Sequence, residues 1–228
     1  MKNLVFQVNI KPNGGRSEGR KKFHYVSDVY EFSNLKASEY AKKYDADYFC
    51  LKKEYDYLGK KYTPAYHKLF LYELFDDYDK IFFVDSDAII TKICPNIFEY
   101  DVLSATRDNS LTPSGFKKEA RKHEVFGLKD DYIYFCSGVV LFDKKFYYQT
   151  KDHWRGVLEE ACNNPRNIQH DQTVFNILTD RYYGKYNILD DDWGSHRRKG
   201  KFINHYSNTK VLTFSTNDYF KWESKIWK

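Results

Sequence analysis

Residues 79–91 read DKIFFVDSDAIIT and give the strongest indication of how the chain folds. The apolar run 81–84 leads directly into Asp85-Ser86-Asp87, which we call the DSD turn, and a second apolar run follows it. An apolar run of this length that ends in polar residues predicts a buried strand followed by a turn. Two carboxylates separated by one small residue can converge on one divalent cation, and hard oxygen ligands suit Mg²⁺ or Mn²⁺. A solvated turn after a buried strand is the alternative interpretation.

Strand-like and helix-like segments alternate ahead of the DSD turn. Residues 4–10 and 46–51 have the apolar character of strands, and residues 33–43 have a partly amphipathic pattern with Ser33 as the expected N-cap. Pro64 then favours the first turn of a second helix. This alternation predicts an α/β fold with a mixed, mostly parallel central sheet flanked by helices. Ligands of such sheets bind at the carboxyl ends of strands, so the position of the DSD turn favours a functional role.

The second half of the chain is less regular. We expect a loop with a short helix at 107–131, a strand interrupted at Ser137-Gly138 over 133–142, helices at 154–162 and 171–178, and a late strand at 202–206. The chain shows no internal repeat and no low-complexity linker. Residues 1–228 are therefore expected to form a single domain.

The composition favours a folded protein. It indicates neither a nucleic-acid-binding protein nor one that spans a membrane. Hydrophobic residues make up 42% of the chain, with 21 Tyr and 18 Phe, and the formal net charge of +5 comes without a basic stripe interleaved with aromatic residues. No apolar run approaches the ~20 residues that a membrane-spanning helix needs. The four cysteines form no CxxC pair, which is typical of reduced thiols. We expect a cytoplasmic protein of a bacterial cell or a virus-infected host cell, with any membrane attachment peripheral.

A series of motifs follows one another in a recognisable order. They are Tyr66-His67-Lys68-Leu69, the DSD turn, Phe135-Cys136-Ser137-Gly138-Val139, Asp171-Gln172, and His205-Tyr206 with Lys210. This order resembles the GT-A (Rossmann-like) glycosyltransferases of the glycogenin and lipopolysaccharide-galactosyltransferase type, glycosyltransferase family 8, over most of the chain. The sequence departs from the family at Cys136, where the family usually has Asn. The segment after His205 is also shorter by one residue than the family motif and lacks its Gly and Pro-Trp.

The resemblance implies metal-dependent transfer of a hexose from a nucleotide-sugar, with a UDP-sugar as the expected donor, to a hydroxyl of a glycan or another acceptor. It places Asp85, Asp87 and His205 as ligands of Mn²⁺ or Mg²⁺, with Asp85 also at the donor ribose. Two carboxylates and one imidazole are suitable ligands for Mn²⁺, which would act as a Lewis acid on the leaving diphosphate. A histidine that follows an apolar strand is, on the other hand, commonly a hydrogen-bonded core residue.

The resemblance also implies residues around the donor. Lys68 takes the place of a basic residue near the diphosphate or donor sugar, although Lys cannot make the bidentate contacts of Arg. Asp171 and Gln172 are expected to border the reaction centre as the catalytic residues, and Asp171 would be the base if the reaction inverts the anomeric centre. A solvated lysine and an aspartate that opens a helix are the alternatives. The other expected substrate-binding residues are Asp85, Ser86, Asp108, Ser137, Gly138 and Lys210.

Two further classes of function share parts of this pattern. A strand followed by DxD also opens the haloacid-dehalogenase-type phosphatases, in which the first Asp is the nucleophile. That motif normally lies near the start of the chain and has Thr or Val where this chain has Ile89. A non-catalytic nucleotide-sugar binding module is the third class, and the departures at Cys136 and after His205 are compatible with it.

Overall fold

The computed structural model describes residues 1–10, 27–58, 64–108, 113–164, 170–194 and 200–205. Its strands are β1 Asn3–Val8, β2 Asp47–Leu51, β3 Lys80–Val84, β4 Ala88–Ile90, β5 Ser104–Arg107, β6 Phe135–Asp143, β7 Asn187–Leu189 and β8 Ile203–His205. Six of them form a sheet in the order β2-β1-β3-β6-β5-β7, and β4 pairs with β8 in a separate small sheet. In the six-stranded sheet β1–β2, β1–β3 and β5–β7 are parallel, whereas β6 is antiparallel to β3 and β5. The predicted mixed, mostly parallel sheet is confirmed.

Helices cover both faces of this sheet. Their bounds are α1 Ser27–Lys43, α2 Leu71–Leu74, α3 Pro113–Phe126, α4 Lys144–Thr150, α5 Trp154–Asn163 and α6 His170–Leu178, with 3₁₀ turns at Pro64–Phe70, Ile97–Glu99 and Asp191–Trp193 and a π-helical turn at Thr179–Tyr183. Among the described residues, no helix combines the length and the apolar character that crossing a membrane requires.

Strand β3 is apolar throughout because both of its faces are buried. Ile81 and Phe83 belong to a core that includes residues of α5 and α6. Phe82 and Val84 face the opposite core, which includes residues of α1 and Trp193. Since successive side chains of a strand point to opposite faces, only a strand covered on both sides loses the alternation of polar and apolar residues.

Two local predictions differ from the structure. Helix α1 begins at Ser27, so the prediction of Ser33 as its N-cap is wrong. The Ser33 hydroxyl instead donates to the carbonyl oxygen of Ala88 at 2.5 Å and accepts from the Gln7 amide at 3.0 Å, which ties the helix to β1 and β4. The helix predicted after Pro64 is a 3₁₀ helix until Phe70 and becomes α-helical only in α2.

The interruption predicted at Ser137-Gly138 is a bulge within a continuous strand. Ala105 of β5 lies opposite Val140 of β6, but Arg107 lies opposite Phe135, so β6 carries extra residues over this interval. Phe135 and Val140 consequently share one core although their odd spacing would put them on opposite faces of a regular strand. Bulges of this kind re-aim side chains and are common next to functional sites.

Candidate functional site

Three side chains of the kinds that bind metal ions meet at the carboxyl end of β3. The DSD turn connects β3 to β4, and Ala88 of β4 lies opposite His205 of β8. One ligand atom from each of Asp85, Asp87 and His205 lies within 4.8 Å of the others. The imidazole of His205 is buried, whereas the carboxylates of Asp85 and Asp87 are 24% and 23% exposed. The cluster is therefore anchored in the core and open to solvent on its carboxylate side.

The arrangement of this cluster fits a divalent cation. His205 Nδ1 lies 3.8 Å from Asp87 Oδ1, a separation that one ion between the two atoms can span. Carboxylate and imidazole ligands together suit Mn²⁺, and carboxylates with water suit Mg²⁺. The cluster can thus hold the ion with positions left over for other ligands.

Gly138 in the bulge leaves the room that these side chains occupy. A Cβ atom at this position would lie less than 3.0 Å from Asp85 Oδ2 and from Cε1 of His205. The Gly138 carbonyl oxygen also accepts the Asp85 N–H at 2.8 Å, which fixes the start of the DSD turn against β6. The absence of a side chain at Gly138 is therefore a requirement of close packing.

Lys68 joins the cluster to a third carboxylate. Its ammonium lies 2.9 Å from Asp85 Oδ1 and 2.9 Å from Asp171 Oδ2, and its side chain is 8% exposed. The solvated alternative for this residue is wrong. Burial by itself lowers the pKa of Lys68, but the charges of Asp171 and Asp85 outweigh burial and raise the pKa above its ordinary value. The raised pKa favours the charged form of Lys68 at neutral pH.

Asp171 and Gln172 lie in the first turn of α6 and both contact Ser137 of the bulge. The Ser137 hydroxyl donates to Asp171 Oδ2 at 2.6 Å, and the Ser137 backbone N–H donates to Gln172 Oε1 at 3.3 Å. Both side chains are buried. Asp171 therefore opens a helix and at the same time belongs to the charged cluster, so its two interpretations are compatible.

Asn176, which was not predicted from the sequence, holds α6 against β6. Its side chain accepts the Phe135 N–H at 2.9 Å and donates to the Phe135 carbonyl oxygen at 3.0 Å. A polar residue among the apolar residues of α6 was the available signal, since a fully buried amide needs partners.

Asp108 lies at the same edge of the sheet, at the end of β5. It is buried and forms an ion pair with Lys122 of α3, whose ammonium lies 3.9 Å from the centroid of the Tyr134 ring. Arg107 pairs with Glu119 of the same helix, which also accepts the Tyr134 N–H at 2.9 Å. The sequence predicts a loop with only a short helix here, and it is the longer α3 that brings the charges of both helix residues to β5.

The remaining two predicted residues have different positions. Ser86 is buried, and its hydroxyl donates to the carbonyl oxygen of Val8 at 2.8 Å, which links the DSD turn to β1. Lys210 lies outside the described residues.

Comparisons with known proteins agree with this architecture. Residues 6–219 match the model of the family described as glycosyl transferase family 8. The galactosyltransferase LgtC, solved in complex with donor and acceptor sugar analogues, superposes with a TM-score of 0.61 at 14% identity, covering 98% of this chain and 95% of that chain. An active-site mutant of LgtC, in which glutamate replaces glutamine, superposes with a TM-score of 0.58 at 14% identity, with the same coverage.

A glycosyltransferase involved in the glycosylation of the major capsid of PBCV-1 superposes with a TM-score of 0.56 at 10% identity, covering 99% of this chain and 100% of that chain. At such identities the likeness shows the fold alone, which is the GT-A fold. No curated protein matches the sequence.

Proposed function

The chain belongs to glycosyl transferase family 8, and we propose that this glycosyltransferase moves a hexose from a UDP-sugar to a hydroxyl group of a glycan or another acceptor, with Mn²⁺ or Mg²⁺ as cofactor. One observation carries the proposal. Asp85, Asp87 and His205 bring their ligand atoms within 4.8 Å of one another at the carboxyl end of β3. Ligands of α/β sheets bind at such strand ends.

The charge of the site supports a divalent ion. Asp85, Asp87 and Asp171 carry three carboxylates, and Lys68 is the one cation that contacts two of them in the described part of the chain. In the ionised state these four described side chains sum to two negative charges in a partly buried site, and buried charges are paired or bind metals. A bound divalent ion would neutralise them and act as a Lewis acid on the diphosphate of the donor.

The other residues have proposed roles that follow from their positions. Lys68 is a fixed positive charge beside the metal ligands, and Gly138 leaves the space in which the side chains of Asp85 and His205 lie. Asp171 and Gln172 border the reaction centre, with Asp171 as the base if the reaction inverts. LgtC also has a glutamine in its active site. The additional donor contacts that we propose are Asp85 at the ribose, Asp108 at sugar hydroxyls, and Ser86, Ser137 and Lys210.

The proposed enzyme is a single domain of residues 1–228 that acts in the cytoplasm. Its four cysteines all lie in the described part of the chain, and no disulfide joins any two of them. Reduced thiols are typical of a reducing compartment, which supports this location.

Calorimetry against UDP-, GDP- and dTDP-sugars, with Mn²⁺ and then with a chelator, tests the proposal. We expect one UDP-sugar to bind in the presence of Mn²⁺ and to lose its affinity when the chelator is added. Absence of binding to every nucleotide-sugar would overturn the proposal, and release of phosphate from phosphomonoesters would then favour the phosphatase. Tight binding of UDP without hydrolysis or transfer would instead favour a non-catalytic module.

A further inference from the structure

We propose that Asp171 sets the metal affinity of the site without being a metal ligand, because it holds Lys68 partly away from Asp85. The proposal rests on the proposed function, since it takes Asp85, Asp87 and His205 as the metal ligands. It makes Asp171 a positioning residue that acts through Lys68.

Lys68 is shared evenly between its two carboxylate partners. Its ammonium lies 2.9 Å from Asp85 Oδ1 and 2.9 Å from Asp171 Oδ2. The side chain is almost completely buried, so water cannot replace a lost partner. Contacts with the Ser137 carbonyl and hydroxyl oxygens, at 3.4 and 3.3 Å, are longer and involve uncharged acceptors. The position of the ammonium therefore depends mainly on the balance between the two carboxylates.

This balance affects any cation that binds to Asp85. Lys68 and a metal ion are both positive and use the same carboxylate, so they compete for it and repel each other. Asp171 reduces the competition because it offers the ammonium a second carboxylate. Without the charge of Asp171, Lys68 would pair with Asp85 alone and oppose the metal more strongly.

Asp171 is itself held in place for this role. Its Oδ2 atom accepts the Ser137 hydroxyl at 2.6 Å in addition to the Lys68 ammonium. The attachment of α6 to β6 does not depend on Asp171 alone, since Asn176 bonds both backbone groups of Phe135. The charge of Asp171 can therefore be removed while the helix keeps an independent anchor.

The test measures binding of Mn²⁺ alone, from the electron paramagnetic resonance signal of the free ion, to a set of variants of the full chain. Asp171→Asn is expected to lower the affinity by about tenfold, the lower end of the range for removal of a group bonded directly to a metal ligand, because Asp171 acts one step further away through Lys68. Lys68→Met is expected to bind at least as tightly as the wild type, because the competing cation is gone. The double variant K68M/D171N should recover most of the affinity that D171N loses.

Asp180→Asn is the matched control. Asp180 is also a buried carboxylate, and it accepts the Lys129 N–H at 3.1 Å in the π-helical turn that follows α6. Because its partner Lys129 is not a neighbour of the metal ligands in the described structure, D180N should leave Mn²⁺ affinity unchanged. Thermal unfolding identifies any variant that fails to fold. If D171N does not fold, Ser137→Ala provides the second test. We expect this variant to bind Mn²⁺ more weakly than the wild type, with a smaller loss than that of D171N. An unchanged affinity would contradict the proposal.

The outcomes separate this proposal from the proposed function. If D171N binds Mn²⁺ as tightly as the wild type, Asp171 does not set the affinity. If K68M/D171N binds as weakly as D171N, Asp171 acts directly and not through Lys68. Either result overturns the inference and leaves the metal site standing. Absence of Mn²⁺ binding by the wild type, or an Asp87→Ala variant with full affinity, would instead overturn the metal site and the inference together.

Discussion

The two ends of β3 show two ways of burying a lysine. At the amino end of the strand, the Lys80 ammonium donates to the carbonyl oxygens of Phe98 and Tyr100, each at 2.7 Å, and to Asp101 Oδ1 at 3.3 Å. The Asp101 side chain is 92% exposed. The three donors of Lys80 therefore meet three acceptors, and little uncompensated charge is buried.

At the carboxyl end, the described side chains bring together more carboxylates than cations. Lys68 contacts Asp85 and Asp171, while Asp87 and His205 complete a cluster that is open to solvent on one side. Burial of a charge is therefore not by itself a sign of function. A locally satisfied ammonium stabilises the fold, whereas an excess of carboxylates that converge at a strand end indicates a cation site.

Removal of a ligand at the carboxyl end should have the strongest effect. Asp87→Ala should lower Mn²⁺ affinity by more than about 100-fold, since loss of a partner outside the ligand set already costs about 10- to 100-fold. Calorimetry with Mn²⁺ and UDP should accordingly show no metal-dependent nucleotide binding. Asp101→Ala at the amino end is the matched control and should bind normally. Undiminished affinity of D87A for Mn²⁺ and UDP would remove the distinction between the two ends.

A weaker effect on the same ligands should follow from filling the space around them. Gly138→Ala should lower Mn²⁺ affinity by about tenfold, because the added Cβ would lie less than 3.0 Å from atoms of Asp85 and His205 and displace them. Stability should change less, because two side chains can move to relieve the contact. Gly156→Ala in α5 is the control, since its Cβ would meet nothing within 4 Å. Normal metal binding by G138A would show that the ligands do not need their observed positions.

A substitution at the amino end of β3 should lower the stability of the protein and leave its metal affinity unchanged. Lys80→Met leaves the buried carbonyl oxygen of Phe98 and the partly buried one of Tyr100 without this donor, and a buried unsatisfied group costs about 1–3 kcal/mol. Denaturant titration should show this loss in the free energy of unfolding, with Mn²⁺ affinity unchanged. A change in metal affinity without a change in stability would contradict the structural role of Lys80.

The smallest expected effect is a pH dependence of stability that comes from His67, the histidine next to Lys68 in the sequence. His67 is buried and its Nδ1 accepts the Tyr55 N–H at 2.8 Å, so protonation would cost this bond. Burial lowers the pKa of His67 below its ordinary value of 6.5. The unfolded chain therefore binds the proton more readily, and the stability contributed above pH 6.5 is lost as the pH falls through the lowered pKa of the folded state.

The pH dependence is measured as the thermal midpoint of the wild type and of His67→Gln on both sides of pH 6.5. We expect the wild type to lose more stability than H67Q on acidification, because the variant has no group to protonate at this position. Equal losses in the two proteins would show that His67 carries no such contribution. Lys68, one residue away, stays charged throughout this range.

Much of the fold could be predicted from the amino-acid sequence, because the pattern of apolar and polar residues in each helix or strand is a local property. The uninterrupted apolar run of β3, the helical spacing of α5 and α6, and the polar DSD turn each reflect an environment that repeats along the element. The start of α1 was missed because the hydroxyl of Ser33 bonds across the core to Ala88 and does not cap the helix. A capping residue and a buried cross-link have the same sequence signature.

The chemical groups of the site could be named from the amino-acid sequence, namely the carboxylates of Asp85 and Asp87, an imidazole, and a glycine at the bulge. The packing of the folded chain was needed to find that Lys68 lies between Asp85 and Asp171, and that Asp108 pairs with Lys122 of α3. This division arises because the pattern of apolar residues depends on each element's own exposure. The partners of a buried charge depend on which strand and helix ends meet, and distant segments of the chain supply them.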